Sequence, residues 1–370
     1  LAGGGDPTLD TVALVELAGQ VKAAGIREVR GAFQVYDGAL PFVHSIDEGQ
    51  PDHVGYSPAV SGIALNFNRV HFEWKRANSG YAVTMDARTA KYRPSVDFAK
   101  MRVVKRDLPV YTYADAKGAD QWTVASGALG KGGARWLPVR KPAIYAGDVF
   151  RTLARSHGIV LPRAKVIGEL PVAGRVVADH QSEPLREILR DMLKYSTNLT
   201  AEMVGLSTTR ARGTAPLSLK DSAEEMSRWA AAKYGMAGTR MVDHSGLGDA
   251  SRMTPDDLVG ALVLVQQNAV LRPLLKPFPM RDDKGRVIKT HPITVDAKTG
   301  TLNFVSGLGG YMTAADGTEL AFAIFTADTT RRARIKREDR EKPEGARAWN
   351  RKSKKLQQKL IERWGAVYGS

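Results

Sequence analysis

The spacing of apolar residues changes along the chain, and this change limits the folds that the chain can adopt. Between about residues 27 and 145, apolar and polar residues alternate in short runs that Gly, Pro, Asn and Asp interrupt, as in Val70–Trp74. Such alternation is typical of β-strands with one buried face. Outside this stretch, apolar residues recur three and four positions apart, which is typical of amphipathic helices. The predicted helices cover residues 11–25, 143–157, 184–206, 218–235 and 254–268.

The last third of the chain places helices on both sides of a second β region. Thr254-Pro255-Asp256-Asp257 begins the preceding helix with a threonine cap, a proline and two acids in the first turn. Residues 293–328 alternate again, and Asp316-Gly317 between two runs indicates a hairpin turn. Because helices and strands occupy separate stretches, we predict an α+β fold with an antiparallel sheet.

The composition is that of a globular protein with two or three domains. The chain has 370 residues, of which 43% are apolar and 25% are charged, and domains usually hold about 100 to 200 residues. It has no cysteine, which excludes disulfides, thiolate catalysis and cysteine-ligated metals. The seven histidines show no spacing typical of metal ligands, so we expect neither a metal nor a cofactor.

Two short motifs carry residue types that suit acyl transfer. Ser196-Thr197-Asn198 lies within the predicted helix 184–206, and Lys298-Thr299-Gly300-Thr301 opens the second β region. Acyl transfer needs a hydroxyl nucleophile, a base, a proton path to the leaving amine and a cation for a substrate carboxylate. Either motif alone is an ordinary helix cap or strand edge, so their joint presence and order carry the interpretation.

Each motif residue has a candidate role in this chemistry. Ser196 can relay a proton, and Asn198 can hold a substrate amide through both its donor and its acceptor. Lys298 supplies positive charge. The predicted substrate-binding residues follow it: Thr299 offers a hydroxyl to the carboxylate, Gly300 lets the substrate lie close to the strand, and Thr301 ends the stretch.

Penicillin-recognising enzymes combine a serine-asparagine motif and Lys-Thr-Gly with a third motif, Ser-x-x-Lys. None of the 18 serines in this sequence is followed by a lysine three positions later. The nearest match is Ser207-Thr208-Thr209-Arg210, but arginine stays protonated and cannot act as the base. We therefore interpret this match as an exposed helix end.

Five segments closely resemble the low-molecular-mass class C penicillin-binding proteins, the D-alanyl-D-alanine carboxypeptidase/endopeptidase family. They are, in chain order, Gly4–Leu9, Ser57–Asn66, Ser182–Glu202, Asp243–Leu247 with Arg252–Pro255, and Lys298–Thr301. Their order is that of the family, and they span residues 4–301. His244 departs from the family's glycine, and we expect it to alter a turn without changing the chemistry.

The resemblance implies three domains, because two mainly β domains are inserted between Ser-x-x-Lys and Ser-x-Asn in this family. We expect residues 1–70 and 135–168 to form inserted domain II, which is α+β, and residues 71–134 to form inserted domain III, which is mainly β. Residues 169–370 would form the C-terminal part of a penicillin-binding-protein/β-lactamase-like transpeptidase domain.

The resemblance also implies a serine-type D-Ala-D-Ala carboxypeptidase/endopeptidase that cleaves peptidoglycan stem peptides through an acyl-enzyme and is acylated by β-lactam antibiotics. Ser196, Asn198 and Lys298 would complete the catalytic site, with the nucleophile in a Ser-x-x-Lys segment upstream of Leu1. We expect an exported, periplasmic protein, and we expect these 370 residues to be inactive alone.

Two alternatives stay open at this point. The first is a non-catalytic protein that binds or scaffolds the cell wall with the same fold. The second is a class C β-lactamase, although those enzymes have tyrosine at the position of Ser196 and lack the long β insertion.

Two other constellations suggest different chemistry and are weaker. Asp243-His244-Ser245-Gly246 contains the residue types of a catalytic triad, but a nucleophile elbow has glycine two positions before the serine, where Asp243 stands. Gly127–Gly133 is rich in glycine but lacks the spacing and the Ser/Thr after lysine of a phosphate loop. We predict a flexible hairpin or loop there.

The formal charge of +15 is concentrated at the C-terminus, where residues 331–370 hold 14 Lys/Arg against 5 Asp/Glu. Trp349, Ser353, Leu356, Leu360 and Trp364 recur at helical spacing within this segment. The stripe either packs against the core, or it lies on an anionic membrane surface with basic residues around it. No motif supports binding to nucleic acid.

Overall fold

The alternating stretch forms strands, as predicted. The computed structural model describes residues 1–116, 118–171 and 174–369. The strands in the first half of the chain are β1 (Phe33–Tyr36), β2 (Arg69–Arg76), β3 (Tyr81–Asp86), β4 (Ala99–Val104), β5 (Tyr111–Ala116), β6 (Ala119–Ala125), β7 (Gly132–Pro138) and β8 (Ala164–Ile167). The helices among them are α1 (Thr11–Ala23) and α2 (Pro142–Ser156).

These strands form three small sheets. The order β3-β2-β7 makes an antiparallel sheet, β4-β6-β5 makes a mixed sheet, and β1 pairs with β8 in parallel. The glycine-rich segment Gly127–Gly133 connects β6 to β7, which belong to different sheets. Residues 127–131 therefore form a connection between two sheets and not a hairpin, whereas Gly132 and Gly133 begin β7.

The chain divides into two units. Unit 1 comprises Leu1–Glu183, Asn198–Ser222 and Asp243–Ser245, and unit 2 comprises Pro184–Thr197, Ala223–Val242 and Gly246–Ser370. The core of unit 1 joins α1 and α2 to the sheets through fully or almost fully buried side chains. These include Leu14, Val35, Phe72, Trp122, Leu137 and Tyr145. The finer division into three domains stays a prediction.

The remaining elements follow in chain order. They are α3 (Leu185–Tyr195), α4 (Asn198–Ala211), α5 (Leu219–Tyr234), α6 (Pro255–Gln266), β9 (Lys276–Pro277), β10 (Thr294–Leu302), β11 (Val305–Thr313), β12 (Glu319–Ala327), α7 (Thr329–Ala333) and α8 (Ala346–Tyr368). The predicted cap of α6 is present, since the Thr254 side chain accepts the amide of Asp257 at 3.0 Å. The predicted turn at Asp316-Gly317 joins β11 to β12.

Unit 2 is built on an antiparallel sheet with the strand order β12-β11-β10-β9. Side chains of a strand alternate between the two faces of its sheet. On one face Tyr311 donates its hydroxyl to the carbonyl of Leu262 in α6 at 2.8 Å. On the other face Met312 and Val295 pack with Ile361 of α8. The sheet of unit 2 therefore lies between two helices.

The C-terminal helix α8 packs against the core, which confirms the first interpretation of its apolar stripe. The buried face is centred about one position further along than the pattern predicted. It consists of Ala346, Ser353, Gln357, Ile361 and Gly365. Leu356, a member of the predicted stripe, is 47% exposed, while Leu360 and Trp364 lie at the border of the core. Among the described residues, no helix is both long and apolar enough to cross a membrane.

Candidate active site

A lysine and a serine that the sequence separates by 102 positions form a hydrogen-bonded pair in unit 2. The Lys298 ammonium donates to the Ser196 hydroxyl oxygen at 2.6 Å. The same ammonium also donates to the carbonyl of Thr299, the next residue on β10. The structure therefore brings together two of the three predicted catalytic residues and fixes the direction of the lysine side chain.

Ser196 reaches this position because the helix predicted over 184–206 is interrupted at the motif. α3 ends at Tyr195, and Ser196 adopts a left-handed conformation with φ 55° and ψ 51°. A residue other than glycine rarely adopts this conformation, which costs about 1 kcal/mol or more. The prediction that the motif lies inside one helix is thus wrong, and the serine hydroxyl projects from a break between two helices.

The surroundings of Lys298 lower its pKa. Burial lowers the pKa of Lys298, and the nearby ammonium of Lys276 lowers it further. Both effects disfavour the charged form of Lys298, and an anionic ligand beside the ammonium would favour that form again. Among the described residues, the bonds of the Lys298 ammonium go to the Ser196 hydroxyl and the Thr299 carbonyl.

Asn198, the third predicted catalytic residue, begins α4 and belongs to unit 1. Its side-chain amide donates to the carbonyl of Tyr56 at 2.9 Å. This bond orients the amide. It uses only one of the two N–H groups of the side chain. The motif pattern did not reveal Tyr56, although it directly precedes the family-like segment Ser57–Asn66.

The predicted substrate-binding residues lie along one edge of β10. β9 pairs with this strand only at Asp296 and Ala297, so no described strand covers the edge of residues 298–301 on that side. An uncovered edge of this kind can bind an extended peptide through its main chain. Gly300 faces Gly307 on β11, and no side chain of either residue obstructs the strand there.

Thr299 and Thr301 point into a cavity of unit 2 with a volume of about 640 Å³. Its other walls include Lys276 and the lysines Lys354 and Lys355 of α8. Lys298 does not line this cavity, because alternate residues of a strand point to opposite faces. The Lys298 ammonium thus faces Ser196, whereas the hydroxyls of Thr299 and Thr301 face the cavity, whose walls are rich in lysine.

His244, in the stretch Asp243–Gly246 that contains the residue types of a triad, contacts other residues of unit 1. His244 Nε2 lies 2.8 Å from the hydroxyl of Ser222, which in turn lies 2.6 Å from that of Thr209. Ser222 and Thr209 are almost completely buried, so neither is accessible to a substrate. Burial lowers the pKa of His244 to about 4. These residues therefore do not form a catalytic triad.

Ser207 and Arg210, the nearest match to Ser-x-x-Lys, lie in the last two turns of α4. The Arg210 guanidinium donates to the carbonyl of Ala39. The side chain is committed to the main chain of unit 1, which agrees with the interpretation of this match as a helix end.

Comparisons with known proteins point to one family. Residues 1–343 match the D-Ala-D-Ala carboxypeptidase 3 (S13) family. A D-alanyl-D-alanine carboxypeptidase of Actinomadura sp. is 28% identical over 360 residues, which covers 88% of this chain and 64% of the relative. A carboxypeptidase of Mycobacterium tuberculosis is 31% identical over 199 residues, or 50% of this chain and 42% of the relative. The chain thus spans less than two thirds of the length of these relatives.

Solved structures share the fold. The crystal structure of penicillin-binding protein 4 from Haemophilus influenzae is similar with a TM-score of 0.71 and 18% identity, covering 88% of this chain and 75% of that one. The same protein in complex with a β-lactam is similar with a TM-score of 0.66 and 20% identity. These similarities confirm the predicted α+β, penicillin-binding-protein-like fold. The match over residues 1–343 shows that the chain belongs to the D-Ala-D-Ala carboxypeptidase 3 (S13) family.

Proposed function

We propose that the protein containing this chain is a serine-type D-Ala-D-Ala carboxypeptidase/endopeptidase that acts on peptidoglycan stem peptides. The observation that carries this proposal is the 2.6 Å bond between Lys298 and Ser196, beside an uncovered strand edge. The stem peptide would pair with β10, its terminal carboxylate would lie near Lys298, and Ser196 would pass a proton to the leaving amine. Asn198 would hold a substrate amide.

The nucleophile would come from a Ser-x-x-Lys motif, which none of the 370 residues forms. Its serine would attack the peptide carbonyl and release D-alanine, and water would then hydrolyse the resulting ester. β-Lactams would acylate the same serine. We further propose that the protein works in the periplasm, where its substrate lies, and cell fractionation followed by immunoblotting would test this location.

Labelling of the full-length protein by a fluorescent penicillin tests the function. We expect stable labelling of the wild type and no labelling of the 370 residues expressed alone. A full-length protein that cannot be labelled would instead be a cell-wall binding or scaffold protein. Rapid turnover of the penicillin would favour the β-lactamase alternative.

Lys298→Ala tests the role of the cation. A charge-assisted hydrogen bond contributes about 1.5 to 3 kcal/mol, so we expect kcat/KM for a D-Ala-D-Ala peptide to fall roughly ten- to hundredfold. Lys233→Ala, which removes an exposed lysine of α5, is the matched control. Unchanged turnover of the Lys298 variant would exclude this role.

A second candidate partner is an anionic membrane surface. The solvent face of α8 exposes Arg351, Lys352, Lys355 and Lys359 around Leu356, a combination that suits lipid headgroups. We expect co-sedimentation with vesicles that contain anionic lipid, weakening as salt is raised. Equal binding to neutral vesicles would rule out this electrostatic mode.

A further inference from the structure

Glu202 is a buried acid that holds a neighbouring turn with both of its oxygens. It lies on α4, one helical turn after Asn198, and its side chain is completely buried. Oε2 accepts the main-chain N–H of His244 at 3.0 Å, and Oε1 accepts that of Ser245 at 2.9 Å. Two donors on successive residues are thus matched by the two oxygens of one carboxylate.

The ionised form of this side chain satisfies both donors. A carboxylate accepts with both oxygens, whereas a glutamine carries an NH₂ group, which only donates, in place of one of them. In a glutamine variant one main-chain N–H would therefore face another donor. A buried N–H without an acceptor is costly, so the turn would shift away from α4.

Glu202 joins two short segments of the chain, and both belong to unit 1. Each of these segments is called a passage below. Residues 198–222 and 243–245 belong to this unit, whereas the residues on either side of each passage belong to unit 2. Asn198 begins the first passage. Residues four apart share one face of a helix, so Asn198 and Glu202 project from the same side of α4.

We propose that Glu202 is a positioning residue for Asn198: as a carboxylate, it holds the turn Asp243–Ser245 against the first turns of α4 and so fixes the position from which Asn198 projects. This inference rests on the proposed function, because Asn198 matters there as the holder of the substrate amide. Glu202→Gln would break one of the two bonds and loosen this arrangement.

The surroundings of Glu202 set its pKa. Burial raises the pKa of Glu202 to about 7, and the charge of Asp243 raises it too, while hydrogen bonds from Ser245 and His244 oppose the rise. His244 has a pKa lowered to about 4 by burial and is neutral near pH 8. At pH 8 Glu202 is therefore mostly ionised and can accept both main-chain bonds.

Hydrogen exchange of the full-length protein at pH 8, followed by mass spectrometry, tests the proposal without depending on activity. The peptide that contains His244 and Ser245 should be about tenfold less protected in Glu202→Gln than in the wild type. Glu16→Gln, which changes an exposed acid of α1, should keep the wild-type protection.

Acylation by a fluorescent penicillin provides the functional readout of the same variants. We expect Glu202→Gln to acylate about tenfold more slowly than the wild type at pH 8. A wild type whose His244 and Ser245 N–H groups show no protection at pH 8 would overturn the inference, even if the variant failed to fold. A wild type that cannot be labelled would instead overturn the proposed function and leave the exchange result standing.

Discussion

Gly205→Ala offers a sharp test of the packing around His244. Gly205 lies in the middle of α4, and a Cβ added there would stand 2.1 Å from Cγ of the His244 imidazole. Contacts below about 3 Å are not tolerated between carbon atoms, so the ring would have to move. It would then lose the 2.8 Å contact between its Nε2 and the Ser222 hydroxyl.

The expected magnitude follows from three contributions. Overpacking a filled site costs about 1 to 3 kcal/mol, and losing the bond to Ser222 costs about 1 kcal/mol. Alanine gains about 1 kcal/mol over glycine in a helix interior. We therefore expect Gly205→Ala to lower the free energy of unfolding by about 1 to 3 kcal/mol.

Urea unfolding followed by tryptophan fluorescence measures this change. In a His244→Gly background the obstacle is absent, so Gly205→Ala should stabilise by about 1 kcal/mol and the sign of its effect should reverse. Gly19→Ala in α1 is the matched control, because its Cβ would meet no atom within 4 Å, and it should be stabilising in any background. A stabilising Gly205→Ala in the presence of His244 would refute this account of the turn.

Two further predictions concern stability. The pKa of Glu202 is raised from 4.5 to about 7 in the folded protein, so the folded state binds more protons than the unfolded state between these values. The contribution of Glu202 to the free energy of unfolding is therefore full below about pH 4.5 and falls by roughly 3 kcal/mol as the pH rises through 7. The difference between wild type and Glu202→Gln in urea titrations at several pH values measures this, and a constant difference would contradict it. Ile361→Ala should destabilise by about 2 to 5 kcal/mol, because its side chain is completely buried in the core of unit 2. Leu356→Ala, at a position that is 47% exposed, should cost much less, and the reverse order in thermal melts would show that the other face of α8 is packed.

The pH dependence of stability and the proposed role of Glu202 run in opposite directions. Ionisation above about pH 7 lowers the stability of the fold but completes the two bonds to His244 and Ser245. If Glu202 served only the stability of the fold, a buried carboxylate that ionises near neutral pH would be a disadvantage. Sites that bind or react commonly retain such locally unfavourable features, at the expense of stability.

Much of the fold could be predicted from local pattern. The boundaries of α1, α2, α5 and α6 agree with their predicted spans to within a few residues, because spacing, caps and glycine stops act over only a few positions. The cap at Thr254 and the turn at Asp316-Gly317 have the same local origin. Five family-like segments in the order of the family, two of which contain the Ser-x-Asn and Lys-Thr-Gly motifs, indicated the family.

The site depended on contacts that no local pattern contains. The residues around Ser196 favour a continuous helix, yet the chain turns into a left-handed conformation where the hydroxyl accepts a bond from Lys298, 102 positions away. The buried face of α8 was misplaced by about one position, because its centre is set by the sheet residues it packs against rather than by its own spacing.

By itself, the sequence determined which segments are helices and strands, which residue types are available for acyl transfer, and which family the chain resembles. Only the tertiary structure decided that Lys298 meets Ser196, that Thr299 and Thr301 face a different space, and that Glu202 holds the turn at His244. The physical reason is the separation along the chain over which each kind of interaction acts. Backbone preferences act between neighbours in the chain, whereas the hydrogen bonds and burial that shape the site join residues that folding alone brings together.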